Sequence, residues 1–460
     1  MERMNSLDAV FVAVEDSVNH MHIGSVGVFE GPAPPFAELR AVVASKLQLI
    51  PRYRQRVREA PISIGRPLWI DDVHFDLDYH LRATGLPAQS NRRGLEELVG
   101  RVMSQPLDRN RPLWEMWMID GLSDDRWAVL SKVHHCMVDG IAGTDLLGVV
   151  MDAEPYARVA PADDWTPSPE PSRLDLGRAT FLMAVEAVVG VAAGLADTSR
   201  HPARAWDRFR NIAIGFEGLV TPSRRAGASL TGPIGPHRRW ARTRASMDDI
   251  RTVREAFGGT VNDVVLAAVT AGLRELLLSR GESVDHRSVT TLIPVSMRTA
   301  DARGLFDNRV SAVYARLPVG IEDPIERLSA ISDHMAELKQ SHEIDASAAV
   351  VGIGDIAPPV VAAALARAIV HSQEIVQTVA TNVPGPQVPL FLCGRRMREA
   401  YPYVPIAGHI RVGIAIWSYC GDVYFGITGD REGAPDIEKI AVGIDLAFED
   451  MYKEAVSATG

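Results

Sequence analysis

The chain has few cysteines for its length and no segment typical of secretion. Its 460 residues contain three cysteines, Cys136, Cys393 and Cys420, which are odd in number and widely separated. This count argues against a disulfide framework and a thiolate metal site, and it favours a reducing compartment. The N-terminus has no basic segment followed by an apolar one, so we expect a cytoplasmic protein without a signal peptide.

Long hydrophobic runs are also missing. The longest apolar stretch extends from Thr180 to Ala196 and is interrupted by Glu186. It is shorter than the roughly 20 apolar residues that a helix needs to cross a bilayer. We therefore expect a buried or interfacial helix rather than a membrane span, and any contact with lipid would be peripheral.

An excess of positive charge is absent as well. The chain carries 48 Lys and Arg against 58 Asp and Glu, a formal net charge of -10. Proteins that bind nucleic acids need a broad basic surface, so this balance argues against nucleic acid as a partner. An anionic ligand would have to meet local arginine clusters, which occur at 52–58, 238–239 and 395–398.

The sequence does contain a mixture of helix and strand patterns. A chain of 460 residues exceeds the size that one hydrophobic core usually reaches, which predicts two or three domains. A group of prolines between positions 155 and 171 marks a connection. We therefore predict an N-terminal domain over 1–154, a connection with a crossover helix over 155–226, and a C-terminal domain over 227–460.

The second half gives clear local signals. Thr260, followed three residues later by Asp263, forms a capping-box pattern, and Gly281 is placed to end the same helix. Buried strands are predicted in "SVTTLIPVSMR", "NRVSAVYARLP" and "EIVQTVATNVPGP", followed by a hairpin that turns at Gly421 and Asp422. The apolar stripe of the last helix consists of Ile440, Ile444, Phe448 and Met451.

The segment "SKVHHCMVDG", residues 131–140, places two histidines and an aspartate where a strand ends. If "RWAVLSKVHH" is a strand of period two, His134 and His135 point to opposite faces and cannot do the same work. Asp139 and Gly140 then precede a helical pattern, so Asp139 lies near its N-terminus. A histidine in such a loop is suited to take a proton from a hydroxyl group and to return it.

Other interpretations of this segment compete with catalysis. A histidine at a strand end can be a hydrogen-bonded core residue, and an aspartate before a helix can be a simple cap. A metal site would use His135 and Asp139, but no third histidine or cysteine lies at a suitable spacing nearby, so we predict no metal. Cys136 beside His135 suggests a Cys-His nucleophile, yet adjacent strand residues point apart, which makes that pairing poor.

The pattern "HHCMVDG" resembles the HHxxxDG motif of CoA-dependent acyltransferases, and the chain is similar to the bacterial wax ester synthase/diacylglycerol acyltransferase family over nearly its whole length. Supporting segments are "SLDAVFVAVE", "LDRNRPLWE", "GPIGPHRR", "TVNDVVLAAV", "PVSMR", "TNVPGP" and "YPYVPIAGHIRVGIAIWSYCGDVYFGI". HHxxxDG alone is shared with peptide condensation domains and chloramphenicol acetyltransferase-like enzymes, whereas the ordered set is specific. The resemblance implies an α/β (α+β) fold of two chloramphenicol acetyltransferase-like domains, with the active site in a tunnel between them.

The same resemblance assigns roles to the residues of the motif. It implies that His135 is the general base that deprotonates an acceptor alcohol, with His134 in support. Asp139 would shape the site through an ion pair with Arg298 of the other half. Gly140 would permit the tight turn that follows.

Residues outside the motif receive roles by the same route. Asn262 would approach the reaction centre and donate to the tetrahedral oxyanion, although its position also fits an ordinary first-turn helix residue. Trp114 would pack beneath the site. Arg238 and Arg239 would meet the phosphates of CoA at the entrance.

The activity that the resemblance implies is transfer of a long-chain acyl group from acyl-CoA to diacylglycerol, without an acyl-enzyme and without a cofactor. Wax ester synthesis from a fatty alcohol is the nearest variant, since the sequence does not separate the two acceptors. An amide-forming condensation domain and a lipid-binding homologue without turnover are the alternatives from other classes. Because the substrates partition into bilayers, contact with a membrane or lipid-inclusion surface is expected.

Overall fold

The computed structural model of the chain consists of mixed sheets covered by helices. The residues that it describes are 1–59, 65–90, 92–138, 146–155, 164–172, 174–178, 180–181, 227–296, 310–340 and 376–459. Asp139, Gly140 and Arg298 lie outside these ranges, as does most of the predicted connection. Among the described helices, none combines the length and the apolar character that a membrane span requires.

The first large sheet contains the strand that leads to the paired histidines. Its strands, in spatial order, are β12 (Phe391–Leu392), β13 (Arg395–Tyr403), β2 (His22–Glu30), β7 (Arg126–His134), β6 (Trp114–Leu122) and β5 (Leu81–Ser90). The neighbouring helices are α1 (Ser6–Val14), α2 (Phe36–Lys46), α3 (Leu77–His80), α4 (Arg92–Met103) and α5 (Leu146–Val150). β5 and β6 run parallel, whereas the other pairs are antiparallel.

The second large sheet is built from the C-terminal half. Its strands, in spatial order, are β10 (Val310–Leu317), β9 (Val289–Ser296), β11 (Thr378–Val383), β14 (Val412–Tyr419), β15 (Asp422–Asp430) and β8 (Arg238–Ser246). Its helices are α6 (Met247–Phe257), α7 (Val261–Ser279), α8 (Pro324–Gln340) and α9 (Glu438–Thr459). A small sheet joins β1 (Glu2–Arg3), β4 (Leu68–Asp71) and β3 (Gln55–Arg58).

Each large sheet has its own hydrophobic core. The first is rich in aromatic residues and includes Trp114 and Trp127, both fully buried, while the second is mainly aliphatic. The residues of the predicted stripe on α9 are all buried in the second core. Two cores are expected for a chain of this length, because a single hydrophobic core rarely grows so large. The predicted mixed α/β fold class is confirmed.

The predicted ends of α7 are confirmed. Thr260 Oγ1 accepts the Asp263 N–H at 3.3 Å, and Asp263 Oδ2 accepts the Thr260 N–H at 2.8 Å. Both donors would otherwise lack partners at the helix start, so the capping box stabilises the first turn. The helix ends at Ser279 with Arg280 as its C-cap, and Gly281 follows with a φ of 72°.

Two local predictions differ from the structure. β7 ends at His134, because the chain turns there into a short 3₁₀ helix over His135–Met137, so His135 is not a strand residue. The β14–β15 hairpin turns one residue earlier than predicted, since Tyr419 pairs with Asp422. Cys420 and Gly421 therefore form the two-residue loop, with φ angles of 47° and 87° that suit a type I′ turn.

Two strands of the C-terminal half, β12 and β13, belong to the first sheet. β13 pairs antiparallel with β2, and β12 extends the same edge. The chain therefore crosses between the two sheets after β11 and returns at β14. The domain boundaries drawn from the proline-rich connection stay a prediction, and the range 227–460 contains strands of both sheets.

Candidate active site

His134 occupies the last position of β7 and is fully buried. Its backbone N–H donates to the Leu113 carbonyl at 2.9 Å, which ties it to the "RPLW" segment. Its Nδ1 accepts the Cys136 N–H at 3.1 Å. A nitrogen that accepts a hydrogen bond carries no hydrogen, so a neutral His134 ring has its hydrogen on Nε2.

His135 begins the 3₁₀ turn and is half-buried. Its backbone N–H donates to the Met21 carbonyl at 2.8 Å, which continues the pairing of β2 with β7 by one residue. The Phe11 ring of α1 stacks on its imidazole, with ring centroids 4.0 Å apart and planes 21° apart. Burial lowers the pKa of His135 to about 4, so this imidazole is neutral near pH 7 and can accept a proton.

Glu15, which follows α1, faces two imidazoles and one guanidinium. Its Oε1 lies 3.2 Å from His22 Nε2, and its Oε2 lies 3.5 Å from His134 Nε2. Arg109 reaches Oε2 through Nη2 at 2.9 Å and through Nε at 3.1 Å. The carboxylate therefore connects "SLDAVFVAVE" and "LDRNRPLWE" directly to the first histidine of the motif.

The charges in this cluster follow from burial and from these contacts. Burial opposes ionisation of Glu15, but hydrogen-bonding contacts with His134 and His22 outweigh it, so the pKa of Glu15 stays well below its usual range. Burial lowers the pKa of His22 to about 3, which keeps that ring neutral near pH 7. The result is a carboxylate anion that binds one guanidinium and lies against the Nε2 atoms of two imidazole rings.

A pocket of about 340 Å³ opens beside His134. Glu15, Arg109, Leu113 and Leu176 line it together with 56–59 of β3 and the following loop. The lining residues come from the first 176 positions, so the predicted tunnel between the two domains stays a prediction.

Asn262 lies in the first turn of α7, as the sequence predicts. Its Oδ1 accepts a hydrogen bond from Asn382 Nδ2 at 3.0 Å, and Asn382 is a residue of β11. The structure thus brings "TVNDVV" and "TNVPGP" together. Sequence reasoning missed Asn382, and the quoted segment that contains it is the signal that could have found it.

The two arginines predicted to meet CoA differ in exposure. The Arg238 side chain is 1% exposed, lies 3.8 Å from Asp430 Oδ1, and donates to the carbonyls of Gly235 and Val18. A guanidinium in that position cannot meet a phosphate in solution, so the structure contradicts this part of the prediction. Arg239 is half-buried and pairs with Glu438 near the start of α9.

Trp114 packs in the first core as predicted. Its ring stacks on His80 with centroids 4.5 Å apart, and its Nε1 donates to the Tyr53 carbonyl at 2.8 Å. In the part of the chain that the structure describes, no three histidine, cysteine or carboxylate side chains are grouped as a metal site would require. The Asp139–Arg298 pair falls outside that part.

Paired histidines at the end of a buried strand, in a chain with two mixed sheets, agree with the class of CoA-dependent acyltransferases that the motif predicts. Residues 4–265 match the wax ester synthase/diacylglycerol acyltransferase catalytic domain, and residues 306–452 match the C-terminal domain of the same family. The chain therefore belongs to the wax ester synthase/diacylglycerol acyltransferase family, as its sequence predicts, and it is an acyltransferase.

Curated relatives and solved structures agree with this assignment. A probable diacylglycerol O-acyltransferase of Mycobacterium tuberculosis is 37% identical over 452 residues, which cover 97% of this chain and 95% of that protein. A wax ester synthase/diacylglycerol acyltransferase structure from Marinobacter aquaeolei VT8 has a TM-score of 0.73 at 25% identity, covering 99% of this chain and 100% of that one. The first condensation domain of the calcium-dependent antibiotic synthetase shares the fold, with a TM-score of 0.58 at 17% identity over 98% of this chain and 96% of that one.

Proposed function

We propose that this chain is a diacylglycerol O-acyltransferase that transfers a long-chain acyl group from acyl-CoA to diacylglycerol, giving triacylglycerol and CoA. The name of the mycobacterial relative, at 37% identity over almost the whole chain, supports diacylglycerol as the acceptor. The observation that carries the proposal is the neutral imidazole of His135 directly after β7, adjoining His134, whose side chain lines a pocket.

The proposed reaction needs a base and no nucleophilic side chain. Because a thioester is already activated, the acceptor oxygen attacks its carbonyl carbon directly while His135 takes the hydroxyl proton. Nδ1 of His135 is buried and makes no hydrogen bond within the described residues, so we assign the proton transfer to Nε2. Collapse of the tetrahedral intermediate breaks the carbon–sulfur bond, and the proton passes from His135 to the CoA sulfur.

Asn262 is the proposed donor to the oxyanion of that intermediate. Since Asn382 Nδ2 donates to Asn262 Oδ1, the orientation of the Asn262 amide is fixed, and we assign the donor role in the reaction to its Nδ2. Loss of one such donor typically reduces the rate by about 10²- to 10³-fold. The ion pair of Asp139 with Arg298 and the contact of Arg239 with CoA phosphates are further parts of the proposal.

Wax ester synthesis is the second candidate, because the Marinobacter structure is named for both activities. We would incubate the purified chain with labelled palmitoyl-CoA and either a diacylglycerol or a fatty alcohol. The proposal expects triacylglycerol as the main product, together with release of one CoA per acyl group. A preference for the alcohol would favour the wax ester synthase, and binding without turnover of either acceptor would favour the lipid-binding homologue.

Association with lipid is a separate part of the proposal. Diacylglycerol and long acyl chains partition into bilayers, so the enzyme would work at the surface of a membrane or lipid inclusion. Flotation of the chain with vesicles that contain diacylglycerol would test this contact.

A further inference from the structure

α1 is a short helix whose two ends are fixed. At its start, Asn5 Oδ1 accepts the Asp8 N–H at 2.7 Å, which caps the helix. At its end, the Glu15 N–H donates to the Phe11 carbonyl at 3.2 Å. Residues four apart lie on the same side of a helix, so Phe11 and Glu15 both face the paired histidines.

Phe11 and Glu15 contact different histidines. Phe11 stacks on the His135 ring with centroids 4.0 Å apart, and Glu15 Oε2 lies 3.5 Å from His134 Nε2. One helical turn therefore holds both imidazoles of the motif. The family motif alone does not assign either of these two side chains a part in the reaction.

Contacts on both sides of the His134 ring bear on which nitrogen carries its hydrogen. Nε2 faces a carboxylate, and Nδ1 accepts the N–H of Cys136. That N–H belongs to the 3₁₀ turn whose first residue is His135. A change in the His134 tautomer would place hydrogens on both sides of this Nδ1 contact and would disturb the turn that carries the base.

Glu15 is itself held from a distant segment. Its side chain is 8% exposed, and Arg109, in the loop before β6, binds Oε2 through two nitrogens. Arg109 also donates to the Val12 carbonyl at 3.0 Å, which fixes the last turn of α1. A buried carboxylate that is held by several charged or polar partners has a fixed orientation, so Glu15 can in turn orient the neighbouring His134 ring.

We propose that Glu15 and Phe11 are positioning residues for the base: Glu15 fixes the orientation and tautomer of His134, and Phe11 fixes the ring plane of His135. The proposal rests on His135 being the base of the proposed acyl transfer. Neither side chain needs to touch substrate for this role, because both act through the two histidines.

The test compares Glu15→Gln with Glu399→Gln, a matched control. Glu399 is a similarly shielded carboxylate, 13% exposed, that binds Arg126 and Arg242 in another contact network. Glu15→Gln is expected to lower kcat by about 10- to 100-fold, since small displacements of a catalytic group have effects of this size. The KM for palmitoyl-CoA should stay within about twofold, because the acyl-CoA contacts are unchanged.

The control separates positioning from stability. Glu399→Gln should lower the melting temperature while kcat stays within about twofold of the parent. Equal losses of kcat in the two variants, or a Glu15→Gln enzyme with the parent kcat, would overturn the proposal. Phe11→Leu is expected to lower kcat less than Glu15→Gln does, because it removes the stacked ring but keeps an apolar contact.

A spectroscopic measurement tests the positioning role of Glu15 independently of the proposed acyltransferase activity. Imidazole ¹⁵N shifts of histidine-labelled protein should show His134 with its hydrogen on Nε2 in the parent and a changed tautomer distribution in Glu15→Gln. An unchanged His134 signal in Glu15→Gln would refute the positioning role even if the enzyme is active. If Glu15→Gln changes the His134 tautomer but the parent chain has no acyl-transfer activity, the positioning of His134 by Glu15 is supported and the proposed function is refuted.

Discussion

Two shielded carboxylates, Glu15 and Glu399, show how differently the chain treats a charge at the site and at the seam between the sheets. Glu399 receives Arg126 Nη1 at 3.1 Å, Arg242 Nη1 at 3.0 Å and the Tyr401 hydroxyl at 3.0 Å. Glu15 receives one guanidinium and faces two imidazole rings, those of His22 and His134. The seam therefore pairs its carboxylate with two guanidinium groups, whereas the carboxylate at the site lies mainly against imidazole rings.

The seam cluster has a clear structural purpose. Arg126 lies on β7 and Glu399 on β13 of the first sheet, while Arg242 lies on β8 of the second. The Arg242 guanidinium also covers the Tyr401 ring at 4.6 Å from its centroid. Guanidinium groups keep their charge wherever proteins are folded, so Arg126 and Arg242 are permanent cationic partners of Glu399 and join the two sheets through it.

The largest expected effect that separates the two regions is on rate. His135→Ala removes the proposed base and should lower kcat with palmitoyl-CoA and diacylglycerol by about 10²- to 10⁴-fold. The free energy of unfolding should decrease modestly, because the variant loses the ring that stacks on Phe11 but no hydrogen bond of Nδ1 within the described residues. A urea titration and an initial-rate assay on the same preparation would measure both. Unchanged turnover in this variant would remove His135 from the mechanism.

The next effect is on stability, at the seam. Glu399→Ala leaves Arg126 and Arg242 without their shared carboxylate, and removal of one partner of a buried ion pair costs about 3 to 5 kcal/mol. The kcat per folded molecule should stay within about twofold, since the cluster does not contact either histidine of the motif. Chemical denaturation gives the first quantity and an active-site titration the second. If kcat falls as much as in His135→Ala, the seam and the site are not separate regions.

Local patterns predicted the elements of both regions, but not which elements meet. The capping box at Thr260, the stripe of α9 and the histidines at the end of β7 are read from residues a few positions apart. Pairing of β13 with β2 joins segments more than 360 positions apart, and no local period encodes it. The contact of Glu15 with His134 has the same character, because only the folded sheet brings the end of α1 to the end of β7.

Errors in the predicted site also have physical causes. His135 leaves the strand because a 3₁₀ turn starts there, in which the Val138 N–H donates to the His135 carbonyl and the Cys136 N–H donates to His134 Nδ1. Arg238 is part of a charged run that resembles a solvated face, yet its donors are satisfied by backbone carbonyls, one of them from Val18. A charged sequence therefore predicts exposure only when no distant acceptor is available.

A pH series extends the comparison from charge to proton binding. Burial sets the pKa of His135 to about 4 and that of His22 to about 3, both below the unfolded value of 6.5. Between pH 6.5 and pH 4, the two histidines bind protons in the unfolded chain but not in the folded chain. The free energy of unfolding is therefore highest above pH 6.5 and decreases as the pH falls towards 4.

The value of kcat/KM should also depend on the protonation of His135. The acid limb of kcat/KM is expected near pH 4, and Phe11→Leu should move it upwards because the His135 ring becomes better hydrated. Glu399→Gln should leave the limb where it is. A parent enzyme whose acid limb lies at 6.5 would show that the base is not a buried imidazole.

The smallest expected effect lies at the start of α7, where structure and chemistry share one turn. Thr260→Ala removes the acceptor for the Asp263 N–H and should cost about 1 kcal/mol of unfolding free energy. Because Asn262 is two residues further on, fraying of this turn should also lower kcat, by less than the loss of the Asn262 amide itself. Thr260→Ser keeps the hydroxyl and serves as the control. Parent-like kcat in Thr260→Ala, with the loss of stability present, would show that Asn382 alone is sufficient to hold Asn262.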